Sequence, residues 1–331
     1  LPYRLRGTTT TSVSIGDSYF GPVNCSLPKC MLQLAGQGSY SFLDGAIISN
    51  GCDSMRRLEE CWRKAGEDFP GTLPGYYAYF SVPHKSVDYS IDYYTEELSD
   101  MISSLEKHFM VSIAASLKKS IQIYNEGRRL LSRLDSLRYS REVPLSGEDA
   151  MAILISGHAM PREEFNTLLS DLLKTLPASE SIADGKKRLM LVGSANDDID
   201  FIRLIESGSA VVVADTVCFG SRTYASLVDE NADPLKALAT HYLTNSICPR
   251  MLGYYKERRA FILDMIRKSS VDGVILQNVR FCDLHGSENG VLERDLEAEG
   301  IPCMRLEREY GPLVETGRIR MRLDAFMERI A

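Results

Sequence analysis

The stretch GVILQNVRFCDLHGSEN, residues 273–289, carries the main signal for the fold. Its first seven residues form a short, near-continuous apolar run, which is typical of a strand buried on both faces of a parallel sheet. Cys282 follows at the carboxyl end of this run, where open α/β sheets build their sites. A helical pattern comes next along the chain. This order predicts an α/β fold with a site beside Cys282.

Three further apolar runs repeat the pattern in the C-terminal half. They are RLMLVGSA (188–195), AVVVADT (210–216) and CMRLERE (303–309), with helical patterns over Lys256–Arg267, Glu288–Glu299 and Arg318–Ile330. Buried strands that alternate with helices predict a parallel sheet covered on both faces. We therefore expect residues 181–331 to form a doubly wound, Rossmann-like domain.

The N-terminal half is expected to be a degenerate version of the same plan with a helical insertion. Strands are predicted for PYRLRG at the start of the chain, for Phe42–Ser49 and within 76–83, and helices for Ser54–Ala65 (with Ser54 as N-cap), within 89–138, and for Gly147–His158 and Arg162–Leu176. The polar segment PASESIADGKK, 177–187, marks the expected boundary, so the domains are 1–180 and 181–331. Because the chain starts at Leu1 without an initiator Met, we expect upstream residues to be missing.

Composition excludes several classes of protein. The 331 residues contain 44% hydrophobic and 25% charged side chains, and no run of eighteen apolar residues predicts a membrane span. A net charge of −7 argues against a general nucleic-acid surface. The local pairs Arg56-Arg57, Arg128-Arg129 and Arg258-Arg259 are interpreted mainly as solvated helix faces. Eight cysteines without a secretory signal favour a reduced, cytoplasmic setting in which thiolates are free for metal.

Three of these cysteines are candidate metal ligands. Cys25 lies in PVNCSLPKC, Cys52 follows the apolar run in FLDGAIISNGCDSMRRL, and Cys52 and Cys282 are each followed by Asp. Soft thiolates suit an iron–sulfur cluster, and with three of them one iron keeps an open position. Since the three come from both halves, such a cluster would lie in the interdomain cleft. The alternative interpretation is three buried, inert cysteines.

Several segments together resemble one known family. FCDLHG, GCDSMRRL, ADTVCFGSRTY, SICPRMLG and the closing stretch IPCMRLEREYGPLVETGRIRMRLDAFMERI are similar, in order and spacing, to the family of 2-hydroxyacyl-CoA dehydratases and ATP-dependent benzoyl-CoA reductases. The resemblance covers nearly the whole chain.

The resemblance implies a function and a set of partners. Members are two-domain subunits that pair, usually as heterodimers, and carry a [4Fe-4S] cluster on three cysteines. The ligands would here be Cys25, Cys52 and Cys282, with Cys30 as an alternative to the first. A separate ATP-hydrolysing activator with its own cluster would supply single electrons, and the acyl-CoA thioester would be reduced to a ketyl radical anion.

Within the family, DLHG after the last ligand and the stretch EREYGPL favour a benzoyl-CoA-reductase-like subunit. A 2-hydroxyacyl-CoA dehydratase subunit is the near alternative, and a non-catalytic subunit that relays electrons to its partner is another. A third alternative, from a different functional class, is a small-molecule binding protein without metal.

Other residues receive weaker predictions. Gly220, Ser221 and Arg222 follow a strand, so their amides are candidates for binding a CoA phosphate, with a plain tight turn as the alternative. His285 is a candidate for proton transfer or for influence on the cluster, with a loop histidine bonded to backbone as the alternative. His108, His158 and His241 are interpreted as structural. Cys218 and Cys248 are placed beside the cluster or in packing, and Cys61 and Cys303 in the core.

Overall fold

The computed structural model describes residues 1–176, 180–311 and 313–331. In these ranges the strands are β1 (Gly45–Ser49), β2 (Tyr76–Phe80), β3 (Lys187–Gly193), β4 (Ala210–Thr216), β5 (Gly273–Val279) and β6 (Cys303–Arg308). The helices are α1 (Ser14–Tyr19), α2 (Ser26–Gly36), α3 (Asp53–Asp68), α4 (Asp88–Phe109), α5 (Leu117–Tyr139), α6 (Gly147–Ser156), α7 (Arg162–Thr175), α8 (Ile199–Glu206), α9 (Pro234–Thr244), α10 (Tyr255–Lys268), α11 (Asp283–Ala298) and α12 (Thr316–Arg329).

A four-stranded parallel sheet organises the C-terminal half, which confirms the predicted α/β class. Its strands lie in the order β4-β3-β5-β6, with Met190 opposite Val274 and Val274 opposite Cys303. The strand order reverses between β3 and β5, and in open α/β sheets ligands bind outside the carboxyl ends of the strands at such a point. Every residue of β4 and β5 is buried, which explains why their apolar runs predict them so closely.

Helices cover both faces of this sheet. Successive residues of β3 point to opposite faces. Leu189 therefore packs in one cluster with Phe201 of α8 and Leu323 of α12, whereas Met190 packs in another with Ile262 of α10. The helices predicted between and after the strands occupy these positions, although α11 begins at Asp283, five residues earlier than its predicted start.

The N-terminal half contains a much smaller sheet than expected. In the described residues it has two parallel strands, β1 and β2, paired with Ile47 opposite Ala78. The predicted strand PYRLRG is wrong. Polar groups in that segment bond to other parts of the chain instead, since the amide of Arg6 donates to the Tyr40 hydroxyl and its guanidinium pairs with Asp197 at 2.5 Å.

Helices α5 and α6, which the sequence assigned to the first domain, lie against the second sheet. Arg138 of α5 donates to the carbonyl of Val212 in β4 at 3.0 Å and pairs with Asp135 at 3.0 Å, and Tyr224 donates to Asp135 at 2.9 Å. Residues 177–179 of the predicted boundary lie outside the described residues. The division into 1–180 and 181–331 stays a prediction. In the described part of the chain, no helix combines the length and apolar character that crossing a membrane requires.

Candidate functional site

The three cysteines predicted as ligands share one local geometry. Each is the residue immediately before a helix: Cys25 caps α2, Cys52 caps α3 and Cys282 caps α11. The N-cap of α3 is thus Cys52, and the prediction that Ser54 caps this helix is wrong. Cys52 and Cys282 follow β1 and β5, whereas the residue range before Cys25 contains α1 and a loop. The positive ends of three helix dipoles therefore meet these sulfur atoms, which favours an anionic ligand set.

Cys25, Cys218 and Cys282 pack in or against one cluster of buried residues, and the thiols of Cys25, Cys52 and Cys282 lie close enough to shift one another's pKa. Burial raises the pKa of Cys282 to about 12, and the thiols of Cys25, Cys218 and Cys52 raise it further. Burial likewise raises the pKa of Cys25 to about 11, with Cys52 and Cys218 again contributing. In the opposite direction, the amides of Leu27 and His285 lower the pKa of Cys25 and Cys282 respectively. The thiols are therefore neutral at pH 7 unless a cation replaces their protons.

Two more cysteines belong to the same region. Burial raises the pKa of Cys52, and Cys248 and Cys218 are the thiols that raise it further. Cys218 lies just past the end of β4 and accepts a hydrogen bond from Nη2 of Arg222 at 2.6 Å. The structure thus brings five thiols together, where the sequence singled out three.

In the described part of the chain, these thiols do not form a site for a single metal ion. In residues 1–176, 180–311 and 313–331, no three His, Cys, Asp or Glu side chains are grouped so that they could hold one metal ion. A [4Fe-4S] cluster binds each cysteine through a different iron, so its ligands stand farther apart than those of a single ion. All eight cysteines are free thiols. Soft donors, helix N-termini and the absence of disulfides in the described region fit an iron–sulfur cluster.

The remaining cysteines lie in packed surroundings. Cys30 is fully buried and its thiol donates to the carbonyl of Tyr310 at 3.4 Å. Cys61 and Cys303 are also buried, as the sequence predicted. Cys25 is buried in the same cluster as Cys30 and Cys61, but its thiol is coupled to those of Cys52 and Cys218, whereas that of Cys30 is coupled to Cys25. This coupling favours Cys25 as the first of the three candidate ligands.

Gly220, Ser221 and Arg222 form a tight turn after β4 rather than the start of an α-helix. The amide of Ser221 donates to Oδ1 of Asp215 at 2.9 Å, and a Cβ on Gly220 would lie 1.7 Å from the same oxygen. That amide is therefore engaged within the chain, and the predicted phosphate-binding role stays a prediction. Arg222 faces the thiols: burial lowers its pKa, but Cys218, Cys248 and Asp215 raise it more.

His285 lies in the first turn of α11 and is buried. Its Nε2 is 3.5 Å from Nη1 of Arg222. Burial, followed by the charges of Arg222 and Arg258, lowers the pKa of His285 well below its ordinary value. The ring is therefore neutral near pH 7. Its proposed part in proton transfer stays a prediction.

A cavity of about 420 Å³ opens beside Cys218 and Cys248. Four arginines line it, namely Arg4, Arg128, Arg162 and Arg222, together with His158 and His241. The sequence predicts a structural role for both histidines and mainly a solvated face for the Arg128-Arg129 pair. Arg128 is in fact only 6% exposed. A helical pattern shows which residues share a face, but not what packs against that face, so the sequence held no clear signal for this cavity.

Comparison with known proteins places these observations in a family. The chain is 24% identical to the (R)-phenyllactyl-CoA dehydratase beta subunit of Clostridium sporogenes, over 97% of this chain and 84% of that protein. It is 28% identical to a benzoyl-CoA reductase subunit of Thauera aromatica, over 86% and 72%. It is 21% identical to the (R)-2-hydroxyglutaryl-CoA dehydratase beta subunit of Acidaminococcus fermentans, over 94% and 82%.

A family model described as 2-hydroxyglutaryl-CoA dehydratase, D-component, matches residues 1–330. The resemblance expected from FCDLHG, GCDSMRRL and the closing stretch is thereby confirmed, and the relatives are subunits of enzymes named for acyl-CoA thioesters. The chain belongs to this 2-hydroxyglutaryl-CoA dehydratase D-component family.

Proposed function

We propose that this chain is the [4Fe-4S] subunit of an enzyme that reduces an acyl-CoA thioester by one electron. The observation that carries the proposal is the position of Cys25, Cys52 and Cys282 at the N-termini of three helices, with their thiols coupled to one another. When bound there, the cluster would supply single electrons at low potential.

The chain's own residues would tune that site. The N-terminal ends of α2, α3 and α11 favour negative charge on the sulfur ligands. Arg222 adds a half-buried positive charge beside Cys218. Together they would favour the electron-rich state of a bound cluster, because added negative charge is stabilised by fixed positive dipoles and a nearby cation.

The cavity beside Cys218 and Cys248 is the proposed place for the thioester. Its volume of about 420 Å³ is within the range of small-molecule sites. It would admit the acyl end of the substrate and hold it beside Cys218 and Cys248. It would also limit the access of water to a radical anion of the substrate.

Although the DLHG and EREYGPL stretches favour a reductase-like subunit, we propose elimination of water from a 2-hydroxyacyl-CoA as the overall reaction. The dehydratase beta subunits from Clostridium sporogenes and Acidaminococcus fermentans align over 97% and 94% of this chain, which supports this choice. Elimination is redox-neutral overall, so the electron would return after each turnover. The second candidate is a benzoyl-CoA-reductase-like reaction, which would consume two electrons. It is supported by the 28% identity to the Thauera aromatica protein and by the DLHG and EREYGPL stretches.

The proposed assembly contains a homologous partner subunit and a separate ATP-hydrolysing activator. The relatives are named as subunits, which supports a partner. If the partner alone binds the thioester, this chain would relay electrons to it.

Anaerobic purification followed by iron and sulfide analysis tests the cluster. The expected result is about four irons and four sulfides per chain. Cys282→Ser should lose most of the iron while keeping the far-UV circular dichroism spectrum of the wild type. Cys303→Ser, in the buried start of β6, is the matched control and should keep its iron. Full iron content in the Cys282 variant would overturn the proposal.

Turnover assays with the partner, activator and ATP separate the two reactions. The proposal predicts turnover of a 2-hydroxyacyl-CoA such as 2-hydroxyglutaryl-CoA without net consumption of reductant. If benzoyl-CoA is turned over and the 2-hydroxyacyl-CoA is not, with two electrons consumed per product, the reductase assignment would replace the dehydratase one.

A further inference from the structure

The cavity beside Cys218 and Cys248 carries an unusual excess of positive charge. Arg4, Arg128, Arg162 and Arg222 line it, and none of its lining residues in the described part of the chain is an aspartate or a glutamate. Buried arginines are normally paired, because an unpaired charge in a low-dielectric environment is costly. A cavity with this lining is complementary to an anion.

The hydrogen bonds of these arginines end on neutral groups. Arg128 donates to the side-chain oxygen of Asn125 at 3.2 Å and to the hydroxyl of Tyr242 at 3.3 Å. Arg4 donates to the carbonyl of Cys218 at 3.1 Å and stacks on Phe219. Their charges therefore remain available to a ligand.

Several buried nitrogens at the cavity have no partner. They are Nε of Arg128, Nε of Arg162 and Nδ1 of His158. Arg128 is the most deeply buried of the three residues, because only 6% of its surface is exposed. The Nε atoms of five arginines away from the cavity also lack a partner in the described residues, so the open nitrogens matter here because they border a cavity that a ligand or water can enter.

Two of the arginines lie side by side. Arg162 stacks on Tyr124 with its guanidinium carbon 4.7 Å from the ring centroid, and it runs along α5 beside Gly127. A Cβ at Gly127 would come within 3.2 Å of Cδ and 3.4 Å of Nη1 of Arg162, so glycine provides room for this approach. Arg128 is the next residue on α5, and its charge contributes to lowering the pKa of Arg162, after the larger effect of burial.

The histidines respond to the same positive charge. Burial lowers the pKa of His158 to about 3, and Arg4, Arg162 and Arg6 lower it further. Burial and Arg128 lower the pKa of His241 to about 4. Both rings are neutral at pH 7, so the arginines supply the positive charge of the cavity.

The size of the cavity decides which anion fits. A sphere of 420 Å³ is about 9 Å across. The phosphates of CoA are separated from the thioester by the long pantetheine arm, which is longer than this cavity. An anion that enters with the thioester end must therefore belong to the acyl group itself.

We propose that the cavity takes the acyl group of a dicarboxylic acyl-CoA and that Arg128 and Arg162 bind its free carboxylate. The inference rests on the proposed function for the presence of an acyl-CoA, and it adds the substrate class and two specificity-determining residues. Because Arg–carboxylate pairs are charge-assisted and directional, an uncharged acyl chain of the same length would bind less tightly.

Binding of three probes to the purified protein tests this inference. Glutaryl-CoA and pentanoyl-CoA have acyl groups of five carbons and differ in the terminal carboxylate, and free CoA lacks the acyl group. Neither thioester carries a 2-hydroxyl, so binding is measured by calorimetry without dehydration. We expect glutaryl-CoA to bind at least about tenfold more tightly than pentanoyl-CoA.

Arg128→Met should remove that preference and leave pentanoyl-CoA and CoA unchanged. Arg162→Met should do the same, and it provides a second variant if loss of buried Arg128 impairs folding. Arg129→Met is the matched control, because Arg129 is adjacent on α5 but forms a surface ion pair with Glu230 at 2.6 Å.

Each other outcome overturns the inference in a distinguishable way. Equal affinity for the two thioesters removes the carboxylate site but leaves the acyl-CoA function standing. Equal loss of glutaryl-CoA and free CoA in the Arg128 variant would assign the arginines to a CoA phosphate. Absence of binding by all three probes would reject both this inference and an acyl-CoA site on this chain.

Discussion

Cys52 and Cys282 occupy equivalent positions after strands of two separate sheets. Each lies three residues past the end of a parallel strand, β1 or β5, and immediately before a helix, α3 or α11. Strand–loop–helix units place the residue before the helix at the carboxyl edge of the sheet, where the positive end of the helix dipole also lies. Two such units facing each other are a simple way to present two thiolates to one cofactor.

The choice between Cys25 and Cys30 can be tested directly. Cys25→Ala should lose most of the bound iron, because its thiol is coupled to Cys52 and Cys218. Cys30→Ala should retain iron and lose about 1–3 kcal/mol of stability, since Cys30 is fully buried and its replacement leaves a small void. Iron analysis and urea unfolding of the two variants measure both effects. Loss of iron only in the Cys30 variant would reverse the assignment.

Gly193 is expected to be irreplaceable at the end of β3. Its φ is +146°, and a Cβ there would lie 1.8 Å from the carbonyl oxygen of Gln277 in β5. Gly193→Ala should therefore lower the free energy of unfolding by about 3 kcal/mol or more. Gly208→Ala is the control, because a Cβ at Gly208 would meet no atom within 4 Å. Equal urea midpoints for the two variants would contradict the close approach of β3 and β5.

Arg138 should be the strongest polar anchor between α5 and the second sheet. It pairs with Asp135 at 3.0 Å, is 3.9 Å from Asp215 and is nearly fully buried. Arg138→Met would leave buried carboxylates without their cation, at a cost of about 3–5 kcal/mol. Exposed Arg133 on the same helix is the control, and Arg133→Met should change stability by less than about 0.5 kcal/mol. Urea unfolding at pH 7 distinguishes them.

Stability should fall in mild acid because of His158. Its pKa in the folded protein is lowered to about 3, chiefly by burial, whereas in the unfolded chain it is near 6.5. Below pH 6.5 the unfolded chain takes up a proton that the folded protein does not, so unfolding becomes easier. This residue alone should reduce the unfolding free energy by about 1–2 kcal/mol between pH 7.5 and pH 5.

The variant His158→Gln should show a correspondingly flatter dependence of stability on pH over that range. His108→Gln is a suitable control, because His108 lies at the end of α4 and stacks on Tyr76, away from the arginine-lined cavity. Urea unfolding at pH 7.5, 6 and 5 measures the difference. Parallel curves for wild type and the His158 variant would show that this ring titrates normally in the folded protein.

Local pattern was sufficient where a residue's environment follows from its neighbours in sequence. The strands β4 and β5 are buried along their whole length, so their apolar runs predict them almost to the residue. The N-terminal segment was harder, because Arg6 bonds to Asp197, which is 191 residues away, and no local pattern encodes that pairing. The partial exposure of β2, including Tyr79, likewise reflects a two-stranded sheet that propensity alone cannot distinguish from a larger one.

The sequence by itself determined the α/β class and the family. It also determined that Cys52 and Cys282 each follow a strand and a short loop. Only the tertiary structure decided that Cys218 and Cys248 lie close to the candidate ligand Cys52. It also decided that Arg128 points inward to a cavity, whereas Arg129 points outward and pairs with Glu230. The physical reason is that alternation and helical spacing are short-range properties of the chain. The sign and amount of charge in a cavity depend on which distant helices pack together around it.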